Sequence, residues 1–133
     1  MKFKIGMEES LTKTISEMDV SLMADITGDS NPIHLDEDYA KDTIFGKRIV
    51  HGVFCNGLIS AVLGTKLPGP GSIYQKQEIN WLKPVFLGDT LTATAKIYAI
   101  EKKDKNRKIH LDTVCVNQHG ETVASGYALI IFP

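Results

Sequence analysis

Within the hexapeptide Asp29-Ser30-Asn31-Pro32-Ile33-His34 a carboxylate and an imidazole stand five positions apart. A carboxylate that accepts a proton, beside an imidazole that titrates near neutrality, is a natural pair for acid–base work on a water molecule. Fully extended, five steps separate two Cα atoms by roughly 17 Å, so both groups reach one atom only if the segment bends. Pro32 fixes its own φ and drives Asn31 out of the α region, and Gly28 permits a tight backbone just before Asp29. The stretch is therefore equipped to be a rigid bend. The same residue types also suit a plain turn, in which Asp29 or Asn31 caps a short helix near DEDYAK (36–41) and His34 is a surface residue. The hexapeptide alone leaves both possibilities open.

A second constellation lies downstream, where RIVHG (48–52) leads into an apolar run. Gly52 falls at or near the first turn of the expected helix, where N–H groups are unpaired and the helix dipole is positive. A glycine there lets a substrate oxygen approach the backbone, which is a good place to stabilise a developing enolate. It also simply lets a loop enter a helix, and the two roles are compatible. His34, His51, His110 and His119 show no tight metal-ligand spacing, so no metal is expected. His51 reads as a residue that steadies the loop against the helix, while His110 and His119 read as strand and turn residues.

These groups need elements to hold them. LTKTIS (11–16) alternates weakly, as an edge strand does, and MDVSLMADITGD carries Val20, Met23, Ala24 and Thr27 at helical spacing, which predicts a short helix ending at Gly28. Residues 29–52 read as loop and short helix. Residues 52–64 predict a helix apolar nearly all round, hence buried on all sides, and LPGPGS stops it. Four β-rich runs follow, at 72–83, 90–100, 108–118 and 122–132, separated by turn signals at PVFLGD, EKKDKNR and HGE. Short connections between long strands predict an antiparallel meander.

The economical arrangement is an α+β hot-dog fold, with an antiparallel sheet wrapped around the long central helix in a single domain, residues 1–133. One short helix cannot cover five strands, so a sheet edge or face is expected to meet a second copy, making a homodimer. A net charge of −1 offers nothing to a polyanion, which argues against a nucleic-acid partner. The longest apolar stretch, IVHGVFCNGLISAVLG, is 16 residues and carries His51, Asn56 and Ser60, too short and too polar for a membrane span. MKFKIGMEES lacks the apolar core of a leader, and Cys55 and Cys115 read as reduced core thiols, so a cytoplasmic location is expected.

The segments GDSNPIHLDEDYAKDTIFGKRIVHG, LPGPGSIY and KPVFLGDTLT together resemble the (R)-specific enoyl-CoA hydratases of the MaoC-like dehydratase family, from about residue 10 to the C-terminus. The Asp-x-Asn-Pro-x-His element is the fairly specific part; the HG and KPVF-x-GD elements occur in other hot-dog proteins. The resemblance implies that Asp29 and His34 are catalytic and that the Gly52 backbone N–H binds the thioester oxygen. It further implies that Ser60 lines the site and Asn31 supports the loop. The implied reaction is reversible addition of water to a trans-2-enoyl-CoA, giving the (R)-3-hydroxyacyl-CoA, with no cofactor beyond the coenzyme A of the substrate. A hot-dog acyl-CoA thioesterase and a non-catalytic acyl-thioester-binding module are the competing expectations. LPGPGSIY could line an acyl pocket or merely turn the chain, and EKKDKNRK reads as a solvated hairpin tip. Phe45, Tyr74, Trp81 and Phe86 read as core or dimer contacts, some of them walls for an acyl chain.

Overall fold

Period-two alternation in the second half of the chain becomes a curled sheet in the computed structural model, which describes residues 2–133. Strands β1 (Glu8–Thr14), β2 (Ile73–Trp81), β3 (Thr90–Lys103), β4 (Asn106–Val116) and β5 (Thr122–Phe132) pair in the order β1-β3-β4-β5-β2, every pair antiparallel. Helices α1 (Glu17–Thr27), α2 (Pro32–Leu35), α3 (Glu37–Ala40) and α4 (Val53–Thr65) come from the first half.

The expected meander holds for β3, β4 and β5 only. β2 pairs with β5, so residues 82–89 do not form a hairpin but cross the end of the sheet to its far side. Turn residues cannot distinguish the two. What holds the crossing is the segment just before α4: Val50 N–H donates to the Val85 carbonyl at 2.7 Å, and Ile49 forms an isolated bridge with Phe86. The EKKDKNR turn is also tighter than expected. β3 runs to Lys103 and β4 starts at Asn106, leaving Asp104 and Lys105 at the tip, with Asp104 at φ 56°, a left-handed conformation aspartate tolerates. β1 is an edge strand, as its weak alternation predicts.

The core sits between α4 and the concave face of the sheet. Cys55, Leu58, Ile59, Val62 and Leu63 of α4 are buried in one cluster with Leu91, Ala93, Ala95 and Ile97 of β3 and Ile109, Leu111 and Cys115 of β4. Each large aliphatic side chain so buried is worth about 1.5–3 kcal/mol relative to exposure. Four alanines of the same cluster, Ala93, Ala95, Ala124 and Ala128, leave room on the sheet for the bulky helix face.

The expectation that α4 is buried all round needs correction. Val53 is 47% exposed, and Gly57, Ser60 and Gly64 continue that open stripe along the helix. The sheet curls around one side only. The stripe reads as apolar because two of its members are glycines, which contribute no side chain to bury.

Candidate functional site

The bend is built by three consecutive capping arrangements. Helix α1 starts on a Ser16–Asp19 capping box and ends at Gly28, whose left-handed φ of 79° lets its N–H close on Ala24. Asn31 then caps α2 by accepting from Ile33 N–H at 3.2 Å, with Pro32 as the first helical residue. Asp36 caps α3 by accepting from Tyr39 N–H at 3.2 Å. Capping thus falls to Asn31 and Asp36. Asp29 caps nothing; its carboxylate takes only a long 3.4 Å contact from Asn31 N–H, and the side chain is solvent-exposed.

His34 is held far more tightly. It is 7% exposed, and its Nδ1 lies 2.8 Å from the Ile49 carbonyl. A carbonyl only accepts, so Nδ1 carries the proton and Nε2 keeps its lone pair. Arg48 braces the same residue: its Nε donates to the His34 carbonyl at 2.7 Å, and its Nη1 pairs with Glu17 at 2.8 Å. Burial pushes the His34 pKa below its ordinary 6.5, and the adjacent His51 adds to that push, against the opposing pulls of the Ile49 carbonyl and Asp29. The ring is a neutral imidazole at pH 7.

His51, 1% exposed, stacks on His34 with ring centroids 3.8 Å apart at 26°. Its Nε2–H donates to the Asp29 backbone carbonyl at 2.9 Å, tying the bend to the start of α4. It does steady the loop against the helix. Its Nδ1 is buried with no hydrogen-bond partner among the described residues.

One nitrogen from each histidine and one carboxylate oxygen of Asp29 all lie within 4.8 Å of each other. The two carboxylate–imidazole groups of the hexapeptide therefore converge. As a ligand set for an ion the trio fits poorly. Stacked rings hold their in-plane lone pairs in separate planes 3.8 Å apart at the centroids and only 26° from parallel, whereas metal coordination needs the lone pairs to meet about 2 Å from each nitrogen.

Against His34, the one member of the trio in its wall, lies a cavity of about 320 Å³, lined also by Gly52, Phe45, Trp81, Leu82 and Val85 among others. Gly52 is the residue immediately preceding α4 and has no side-chain cap there. Its N–H finds no acceptor among the described residues and remains available at the positive end of the helix. Of the expected site residues His34 and Gly52 line the cavity, whereas Asp29, Asn31 and Ser60 are not in its wall; Ser60 lies on the outward stripe of α4. Arg48 and the indole of Trp81 are the contacts that residue spacing did not reveal, because each joins segments far apart in the chain.

A curled antiparallel sheet around one helix, with a carboxylate and a neutral imidazole at that helix's open N-terminus, defines the class. Residues 3–119 match the model of the MaoC like domain, and the chain belongs to that family. Among its relatives, the (R)-specific enoyl-CoA hydratase of Rhodospirillum rubrum is 45% identical over 98% of this chain and 88% of its own length. The 3-hydroxybutyryl-CoA dehydratase of Methylorubrum extorquens is likewise 45% identical, over 98% of this chain and 81% of its own. The solved structure of the (R)-hydratase from A. caviae involved in PHA biosynthesis superposes with a TM-score of 0.93 at 34% identity, covering 98% of both chains.

Proposed function

We propose that this protein catalyses the reversible syn hydration of a trans-2-enoyl-CoA to the (R)-3-hydroxyacyl-CoA. The observation that carries the reading is the convergence of the Asp29 carboxylate and the His34 imidazole beside the open N-terminus of α4. Two of the relatives named above are an enoyl-CoA hydratase and a 3-hydroxybutyryl-CoA dehydratase, which supports the same substrate class here.

Hydration requires a base for water, a proton for Cα and a place for negative charge on the thioester oxygen. With Nδ1–H committed to Ile49, His34 Nε2 accepts one O–H of the water and orients it. Asp29 accepts the other proton as the water oxygen bonds to Cβ. The Cα–Cβ π electrons move toward the thioester, whose oxygen takes up charge against the Gly52 N–H. The proton then returns from the pair to Cα on the same face, so one water adds and both groups regain their starting state. Conjugation already makes the thioester an electron sink, so this chemistry asks for no metal or organic cofactor. In a coupled pair the proton belongs to the pair rather than to either member alone.

Asn31 supports the loop through its cap. Ser60 would reach substrate only where a second copy lies on the outward face of α4. We place that second copy in a homodimer: β2 is a sheet edge, paired with β5 on one side and with no strand on the other among the described residues, carrying exposed Ile73, Tyr74 and Trp81. The two cysteines are unpaired and buried, which suits a cytoplasmic setting; no described helix is long and apolar enough to cross a membrane.

Crotonyl-CoA tests the reaction. Loss of the conjugated-thioester absorbance without release of free thiol is the expected result; thiol release would identify a thioesterase, and binding without turnover a carrier module. Acidification supplies a second check. His34 must be neutral to accept from water, and its pKa lies below 6.5. The expected kcat/KM is flat near pH 7 and falls on acidification with a midpoint under that value. The sign for stability is the same, since a histidine depressed by burial favours the folded state above its unfolded pKa and that contribution is lost as pH falls.

A further inference from the structure

The proton chemistry makes no use of Trp81, yet Trp81 touches the residue on which the oxyanion site rests. It ends β2, is 52% exposed and forms part of the cavity wall. Its indole N–H donates to the Gly52 carbonyl at 2.8 Å. The ring also fills the space where a side chain at 52 would begin, since a Cβ there would stand 3.0 Å from Nε1 and 3.1 Å from Cδ1.

Gly52 has helical dihedrals (φ −55°, ψ −36°) but nothing of its own to hold them, being a glycine with no side-chain cap. Glycine loses the most conformational freedom on being fixed, and a first helical turn frays readily. The Gly52 carbonyl takes Cys55 N–H at 3.1 Å from within the helix; Trp81 adds a second donor from the sheet. A carbonyl gripped from two directions fixes the plane of the 52–53 peptide and holds the Gly52 Cα; the Gly52 N–H lies in the preceding 51–52 peptide, so the grip restrains it through that Cα, with φ of Gly52 as the torsion between them.

Resting on the hydratase reading above, we infer that Trp81 is a positioning residue of the oxyanion site. Its indole N–H latches the Gly52 peptide from the edge strand, and so keeps the Gly52 N–H aimed at the thioester oxygen while charge develops there. The ring, as wall, binds substrate and transition state alike; the N–H acts on kcat.

Trp81→Phe keeps an aromatic wall and removes the latch. Losing one oxyanion donor outright costs about 10²–10³ in kcat, so loosening one is expected to cost about tenfold, with KM changed by less than about twofold. A second readout does not depend on turnover. In an Asp29→Asn background, bound trans,trans-2,4-hexadienoyl-CoA should absorb at longer wavelength than the free thioester because its carbonyl is polarised, and Trp81→Phe should shrink that shift. Normalised to bound ligand, the spectrum remains interpretable even if the variant melts earlier. Gly52→Ala displaces the indole, so adding Trp81→Phe to it should cost little more. Unchanged kcat and an unchanged spectral shift in Trp81→Phe overturn the latch, and so does an effect confined to KM. If the wild type hydrates crotonyl-CoA normally, that failure leaves the hydratase reading intact; if the wild type does not hydrate it, the reading itself has failed.

Discussion

Asp29→Asn and His34→Gln should each lower kcat for crotonyl-CoA hydration by about a hundredfold or more, the usual worth of general acid–base catalysis, while both proteins stay folded. Asp29 is exposed and holds no helix end, so asparagine, nearly its equal in shape, removes the proton acceptor and little else. His34 is buried, but glutamine retains an N–H able to reach the Ile49 carbonyl and cannot reproduce a basic Nε2. Because the two groups hold one water, the double variant should be scarcely worse than either single one, a non-additivity characteristic of residues that act as a unit. Circular dichroism confirms folding, and absorbance at the conjugated band gives the rate. Near-normal turnover in either single variant would remove the acid–base pair from the account.

The second large effect concerns stability. At Gly126 in β5, a Cβ would overlap the Glu78 carbonyl oxygen and stand 2.8 Å from its carbon and 2.9 Å from the Ile79 Cα. These are backbone atoms of the neighbouring strand and cannot swing aside, and Gly126 pairs directly with Ile79 in the register. Gly126→Val must therefore push β2 off β5. Overpacking of this kind costs about 3 kcal/mol, which lowers the melting midpoint by on the order of 10 °C in a chain of this size. Since β2 also carries Trp81, activity should fall before global unfolding does. Differential scanning calorimetry checks the first part, and a melting midpoint equal to that of the wild type would show that the strand spacing is not what fixes Gly126.

The elements were largely legible because local chemistry specifies them. Gly28, Asn31 and Pro32 act at helix ends through their own side chains or their own φ, and their types announce it, whereas Ser16, read as the end of the edge strand, caps α1 instead. The long alternating strands likewise show themselves, apart from the β3–β4 tip, where charged residues continue the ladder to Lys103 because both faces there are solvated. Strand order was not legible, since the residues of 82–89 would serve equally in a hairpin or a crossing; the choice is made by Ile49 and Val50, more than thirty positions earlier. The same distance in sequence hid the supports of the site. Asp29 and His34 stood out by type and spacing, and His51 by its place beside Gly52, but Arg48 gripping the His34 carbonyl and Trp81 on Gly52 are backbone recognitions with no motif of their own. The open stripe on α4 was misread because counting apolar residues gives glycine the weight of a side chain it lacks.

The central claim is that a single water is delivered from one face by Asp29 and His34 together. It is tested most directly by hydrating crotonyl-CoA in D2O and reading the relative configuration at C2 and C3 of the product from proton NMR couplings. The account predicts one diastereomer, with the new deuterium and the new hydroxyl on the same face. A product with the two on opposite faces, or a mixture of both C2 epimers, would contradict it.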